Sequence, residues 1–326
     1  MQHTAIVNNI FDETPAFTEK ALLMVQYQYK HNPVYREWND ILKVDIASVN
    51  SLSAIPFLPI SFFKTHKVIC GSFDADNIFE SSGTTQTTTS MHYVKDAGIY
   101  SESFLKAFNI FYGNINEWCI IGLLPSYLER QNSSLIVMVD ALIKESGHSL
   151  SGFYLYDFTT LKDALAILEN RKQKTLLIGV TFALLDFAEQ YPIKLEYTVV
   201  METGGMKGRR KEQTRQQIHE TLCNALGVQQ VHSEYGMTEL LSQAYSKGNG
   251  RFYCPPWMKV LVRDEEDPLS VKEQGRGVLN IIDLANIHSC AFIATDDAGT
   301  VHADGSFEVH GRIDNSDIRG CSLMVL

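Results

Sequence analysis

The sequence predicts an α/β fold: a doubly wound, mostly parallel sheet with a smaller β-rich subdomain. Three observations predict it. Between about residues 95 and 240, short continuous apolar runs alternate with amphipathic helical patterns, as expected for strands buried by crossover helices on both faces. After residue 240 the texture changes to short alternating segments separated by Gly, Asp and Asn, which reads as antiparallel sheet. A chain of 326 residues, 45% hydrophobic and 20% charged, can bury a large core and is long for a single unit.

In order along the chain, residues 1–75 read as a helical entry, with Phe17 to Tyr29 carrying apolar side chains at helical spacing. Pro33, Pro56 and Pro59 then punctuate it, and Ile55-Pro56-Phe57-Leu58-Pro59-Ile60 reads as extended chain entering the main body. Helices are expected over Ala97 to Tyr112, Ser133 to Ser146, Leu161 to Arg171, Phe182 to Gln190 and Glu212 to Leu226. Strands are expected over Trp118 to Leu124, Phe153 to Tyr156, Thr175 to Val180 and Tyr197 to Met201, with Val228 to Val231 a further short apolar stretch. The β-rich part comprises Met258–Val262, Val278–Asp283, Ala291–Thr295 and Phe307–Val309. The expected division is therefore an α/β core over 1–240, a β-rich subdomain over 241–310 and a short tail over 311–326. No internal repeat is visible.

Composition excludes several classes. A net charge of -10, with Lys207-Gly208-Arg209-Arg210-Lys211 as the one basic cluster, argues against a nucleic-acid partner. No apolar run is long enough for an integral membrane segment, and the N-terminus lacks a secretion pattern. Six cysteines without a C-x-x-C pair read as reduced thiols of a cytoplasmic protein and give no basis for zinc.

Chemistry concentrates in a few runs. Phe79-Glu80-Ser81-Ser82-Gly83-Thr84-Thr85-Gln86-Thr87-Thr88-Thr89-Ser90 packs hydroxyls around one glycine. Such a loop can wrap a phosphate chain with backbone N–H and hydroxyl donors. It lacks the Gly-Lys-Ser/Thr ending of a P-loop, and composition alone favours a solvated, low-complexity turn. Further on stand Thr203-Gly204-Gly205, Glu234-Tyr235-Gly236-Met237-Thr238-Glu239, Thr295-Asp296-Asp297-Ala298-Gly299 and Gly311-Arg312-Ile313-Asp314. The first two follow expected strands and so fall on the rim where α/β sheets bind ligands. Each has an ordinary reading: a Gly-Gly turn, a core aromatic at Tyr235, a helix-start carboxylate at Glu239, a turn aspartate at Asp297.

In order and spacing these runs resemble the core motifs of adenylate-forming enzymes, the superfamily of acyl-CoA synthetases, luciferases and peptide-synthetase adenylation domains. The resemblance implies ATP and Mg²⁺ as cofactors and a carboxylic-acid substrate. It places Ser81, Ser82, Gly83, Thr84 and Thr85 on the phosphates, and Gly204 and Gly205 at the adenine. From Glu234 to Met237 the chain would hold the nucleotide, with Tyr235 against the adenine ring. Thr238 would donate to the α-phosphate, and Glu239 would ligate the metal. Asp297 would accept from the ribose hydroxyls, and Arg312 would touch ribose or phosphate. The usual glycine and lysine of the phosphate loop are replaced by Gln86-Thr87-Thr88-Thr89. Only 16 residues run from Gly311 to Leu326, so the chain resembles a large N-terminal domain without the C-terminal lid domain and its lysine. Lys207, Arg209 and Lys95 are candidate substitutes.

Within the superfamily the chain looks closest to the acyl-protein synthetases of the luminescence fatty-acid reductase system. Ile55 to Lys64, Thr203 to Arg209 and Asp317 to Leu323 carry that likeness. It implies fatty-acid activation, then acyl transfer to a protein thiol, with Cys321 as acceptor and a reductase as partner. Arg319 nearby favours a Cys321 thiolate; a buried structural thiol is the plain alternative. Two other functions stay open: an acyl- or aryl-CoA ligase of the phenylacetate type, using CoA, and a non-catalytic nucleotide- or acyl-binding module. Phe153, Tyr154, Tyr156 and Tyr127 are candidates for the acyl pocket.

Overall fold

A computed structural model describes residues 9–81, 89–124, 132–204 and 213–313 of the chain. It opens on helices α1 (Phe17–His31) and α2 (Pro33–Ile41). Pro33, read from sequence as punctuation after the first helix, starts the second one. It occupies the first turn, where its missing N–H has no partner to lose, and Asn32 caps the helix by accepting from the Tyr35 N–H at 3.1 Å. Pro56 and Pro59 do lie in extended chain, around strand β1 (Leu58–Pro59). The short helix α3 (Phe62–Thr65) follows, then a hairpin of β2 (Asn77–Glu80) and β3 (Met91–Val94). This hairpin brackets the hydroxyl-rich run. Beyond its last rung the Ser81 N–H donates to Ser90 O at 3.1 Å and the Ser90 N–H to Ser81 Oγ at 2.9 Å, pinning both ends of the loop.

The central sheet uses β4 (Cys119–Leu123), β5 (Gly152–Phe153), β6 (Thr175–Val180), β7 (Thr198–Thr203), β8 (His232–Tyr235) and β9 (Ala244–Ser246). Their order is β5-β4-β6-β7-β8-β9, parallel except for the antiparallel edge β8–β9. Every residue of β4 and β6 is buried, which is why both read as unbroken apolar runs. Helix α4 (Ala97–Tyr112) leads into the sheet, and α5 (Ser134–Ser146), α6 (Phe158–Asn170), α7 (Thr181–Gln190) and α8 (Arg215–Leu226) supply the crossovers. Two starts differ from expectation because caps override periodicity. Asp157 accepts from the Thr160 N–H and begins α6 early, and a Thr214–Gln217 capping box begins α8 late. The expected strand over Phe153 to Tyr156 ends at Phe153, since Leu155 turns to a φ of 46° and Tyr156 is exposed.

The second sheet comprises β10 (Met258–Arg263), β11 (Val271–Lys272), β12 (Gly275–Asp283), β13 (Phe292–Val301) and β14 (Phe307–Arg312). All its pairings are antiparallel except the parallel pair β1–β13. Asp297 therefore sits inside a long strand, not in a turn. Gly299 permits this: a methyl there would run into Glu308 O and stand 2.7 Å from Leu279 Cδ2. Gly299→Ala is expected to lower stability by about 1–3 kcal/mol through overpacking. Urea denaturation of the two proteins checks it.

Buried polar contacts fasten the two sheets together. Asp283 accepts from the Leu241 N–H at 2.8 Å and Ser242 Oγ at 2.6 Å, and Trp257 Nε1 donates to Ser103 Oγ at 2.9 Å. Among the described residues no helix is long and apolar enough to cross a membrane.

Candidate functional site

Strands β6, β7 and β8 end side by side, and the chain leaves each at Thr181, Gly204 and Gly236. Above these carboxyl ends, facing β13 and β14, lies a cleft of about 1190 Å³. That position is where open α/β sheets bind ligands, and the volume suits a nucleotide with an acyl group. Ser81, Gly204, Glu234, Tyr235, Gly236, Met237, Thr238, Glu239, Asp297 and Arg312 all line it. Ser82, Gly83, Thr84, Thr85, Gly205, Cys321, Lys207 and Arg209 lie outside the described residues.

Tyr235 is buried, as its core-aromatic reading expects, and it also lines the cleft. Its ring packs edge-on against Phe252 and Phe307, with centroids 5.8 and 5.3 Å away, while its hydroxyl donates to Asp297 Oδ2 at 2.7 Å. Asp297 is 7% exposed, its backbone N–H donates to Thr295 Oγ1, and Arg312 Nε stands 3.4 Å from its Oδ1. Arg312 itself is mostly exposed.

Glu239 is 5% exposed. Burial raises its pKa above the ordinary carboxylate value, against the Ser90 hydroxyl and the charges of Arg312 and Lys64. Two side chains hold the backbone beneath it: His92 Nδ1 lies 2.8 Å from Thr238 O, and Asn286 Nδ2 donates to Glu239 O at 2.8 Å.

Deeper in the cleft two carboxylates behave oppositely. Burial pushes Glu234 up to about 7, with the Thr203 hydroxyl pulling back and the charge of Glu202 adding to the rise. Burial also acts on Glu202, but His219 at 3.7 Å and Arg215 at 3.4 Å outweigh it and hold that carboxyl below its usual value. Arg215 further stacks over Phe252 at 5.1 Å, linking the first turn of α8 to the aromatic floor.

These shifts set a pH dependence. Glu234 has a raised folded pKa, so its contribution to stability is full below its unfolded value near 4.5 and is lost as pH rises through about 7. Buried His92 and His232 are pushed down to about 4, so their contribution is present above 6.5 and is lost as pH falls through 4. Glu234→Gln is expected to stabilise the protein at pH 8 by about 1–3 kcal/mol and to change little at pH 4. Urea denaturation at both pH values is the check.

Several residues in or next to the cleft were not singled out from sequence: Glu202, Arg215, His219, His92, Asn286 and Lys64. Only Lys64 carried a signal, closing the run Ile55 to Lys64; it is exposed on α3 and lines the cleft. Lys95 is a correction. Its Nζ lies over the Phe73 ring at 5.8 Å, and it is not among the residues lining the cleft. The suggested acyl-pocket aromatics are also misplaced. Tyr154 donates to Leu150 O, Tyr156 is exposed, and neither they nor Phe153 line the cleft; Tyr127 is outside the described residues. Among the described residues no cluster of three or more metal-ligating side chains occurs.

No family model and no curated protein sequence matches the chain. Solved structures do match. The luciferase-like enzyme from the nonluminescent mealworm Zophobas morio aligns with a TM-score of 0.51 at 14% identity, covering 75% of this chain and 60% of that one. O-succinylbenzoate Coenzyme A Synthetase (MenE) from Bacillus subtilis, in complex with ATP and magnesium ion, aligns at 0.49 and 16% identity, covering 74% and 51%. Coronafacic Acid Ligase from Pectobacterium brasiliense aligns at 0.48 and 13% identity, covering 74% and 47%. The chain thus spans about half the length of the last two. Its parallel sheet, its β-rich part and the alignment with the mealworm enzyme together show that this chain shares the fold of the aligned part of that enzyme.

Proposed function

We propose that this protein activates a carboxylic acid with ATP, making an acyl-adenylate and pyrophosphate, and then passes the acyl group to a thiol. One observation carries the reading. Residues separated by more than 200 positions, Ser81, Thr238, Glu239, Asp297 and Arg312, line a single cleft at the carboxyl ends of the parallel strands. The order of motifs and the fold support it.

In this reading a substrate carboxylate oxygen attacks the α-phosphorus, the bond to the β-phosphate oxygen breaks, and pyrophosphate leaves. Thr238 donates to the α-phosphate, and the donors of the hydroxyl loop, anchored at Ser81 and Ser90, hold the outer phosphates. Glu239 would hold a magnesium ion: it is a buried carboxylate at the cleft wall, the oxygen donor that such an ion prefers beside phosphate and water. When bound, that ion supplies charge neutralisation for the leaving pyrophosphate. Asp297 receives the ribose hydroxyls, and the exposed Arg312 beside it reaches ribose or phosphate. The acyl carbon is then attacked by a thiolate, and AMP departs with the C–O bond electrons.

The finer reading takes the acid as fatty and the first acceptor as Cys321, which hands the acyl group to a partner protein such as a reductase. ATP–pyrophosphate exchange across a panel of carboxylic acids tests the first half-reaction. Labelled acid plus ATP tests the second. Stable label on wild type but not on Cys321→Ser supports the protein-thiol route. Turnover that requires free CoA and leaves no label favours a CoA ligase. ATP binding without exchange on any acid would leave only a binding module.

A further inference from the structure

His92 and Asn286 grip consecutive carbonyls of the segment that carries Glu239, and each has a second polar atom with no described partner. His92 is 1% exposed and Asn286 0%. Because its Nδ1 faces the carbonyl of Thr238, that nitrogen must carry the proton, which leaves Nε2 as an acceptor. Asn286 directs its amide nitrogen to Glu239 O, so its Oδ1 is also an acceptor. Both atoms are buried without a hydrogen-bond partner among the described residues. Both residues line one pit of about 10 Å³ behind the cleft wall.

Two buried acceptors on residues that line a space of this size pose a definite chemical requirement. Leaving both unmatched costs about 1–3 kcal/mol each. A space near 10–15 Å³ takes the centre of one water, and a water has two hydrogens to donate. A hydrated cation needs more room and about six oxygens. We propose that His92 and Asn286 are positioning residues for Glu239, and that one water, donating to His92 Nε2 and to Asn286 Oδ1, completes their network.

The network fixes two successive peptide units and therefore the direction in which the Glu239 side chain leaves the backbone. The anchorage extends further, since the Phe63 ring meets the His92 ring edge-on at 5.7 Å and Gln28 Nε2 donates to Asn286 O at 2.9 Å. The consequence for metal binding rests on the function proposed above; the water does not.

A high-resolution crystal structure of the full chain should show a density peak within hydrogen-bond distance of both acceptors. A dry pit overturns the water. Nitrogen-15 NMR should find His92 as the Nδ1–H tautomer with a hydrogen-bonded Nε2; the opposite tautomer overturns the network. For the positioning role, calorimetry follows ATP binding as Mg²⁺ is varied. His92→Asn keeps a donor near the Nδ1 place and removes the Nε2 acceptor, while Asn286→Ala removes the second clamp. Both should weaken Mg²⁺ dependence by about 10-fold, as loss of an outer partner of a metal ligand does. Leu165→Ala, a buried change on α6 away from the cleft, serves as the control for stability loss alone. If the two clamp variants keep the control's Mg²⁺ dependence, the positioning role is wrong. If wild type shows no Mg²⁺-dependent ATP binding, the proposed function fails and the positioning role falls with it, while the density peak still decides the water.

Discussion

Glu239→Gln is expected to reduce acid-dependent pyrophosphate exchange by about 10²–10³-fold, the range lost when a group aimed at transition-state charge is removed. The substitution keeps the shape of the side chain and its ability to accept from a hydroxyl, so the cleft wall stays in place. What disappears is the negative charge. That charge is held in the fold against its own solvation, since burial is the largest influence on Glu239 and raises its pKa. The variant is therefore expected to be at least as stable as wild type at pH 8 while losing activity. The pairing of lost exchange with undiminished stability identifies a functional carboxylate, because a structural one would lose both. Pyrophosphate exchange and urea denaturation on the same preparations measure it, and full exchange in the variant would remove Glu239 from the chemistry.

Asp297→Ala is expected to have the second-largest effect, and on two observables at once. Nucleotide affinity should fall by about 10–100-fold, since a net charge-assisted hydrogen-bond contribution of about 1.5–3 kcal/mol is removed from the ribose. Stability should fall by about 1–3 kcal/mol, because the buried hydroxyl of Tyr235 loses the acceptor it holds at 2.7 Å. The two losses separate in a double-mutant cycle. Adding Tyr235→Phe removes the orphaned hydroxyl and should restore most of the stability but none of the affinity. A nucleotide lacking both ribose hydroxyls should bind wild type as weakly as ATP binds Asp297→Ala. Equal binding of ATP by wild type and Asp297→Ala would show that Asp297 serves only Tyr235.

Parts of this molecule were readable because their information is local. Helix α4 has the bounds its apolar period predicts, Ala97–Tyr112, since Asp96 caps one end and Gly113 ends the other. Strand β6 matches its apolar run, Thr175–Val180, since it is buried on both faces. The residues expected at the cleft that the structure describes were legible for a different reason, a motif order that resembles a known superfamily. Local rules failed where two of them competed. Pro33 is both a helix breaker and a favoured first residue, and only the Asn32 cap decided between them. Asp297 reads as a turn residue, yet its pairing with Arg312 of β14 makes it strand.

The amino-acid sequence by itself determined the alternation of helix and strand, the change to antiparallel sheet after residue 240, and which residue types are available at the ends of the parallel strands. Periodicity and turn chemistry act within a few residues, so these could be read directly. Only the tertiary structure decided that Tyr235 shares its hydroxyl with Asp297, that Arg215 and His219 restrain Glu202, and that His92 reaches Thr238 across 146 positions. Such contacts depend on where strands and helices cross once the core is packed, and on the burial that then shifts each carboxyl group, and neither is written in any short stretch of chain.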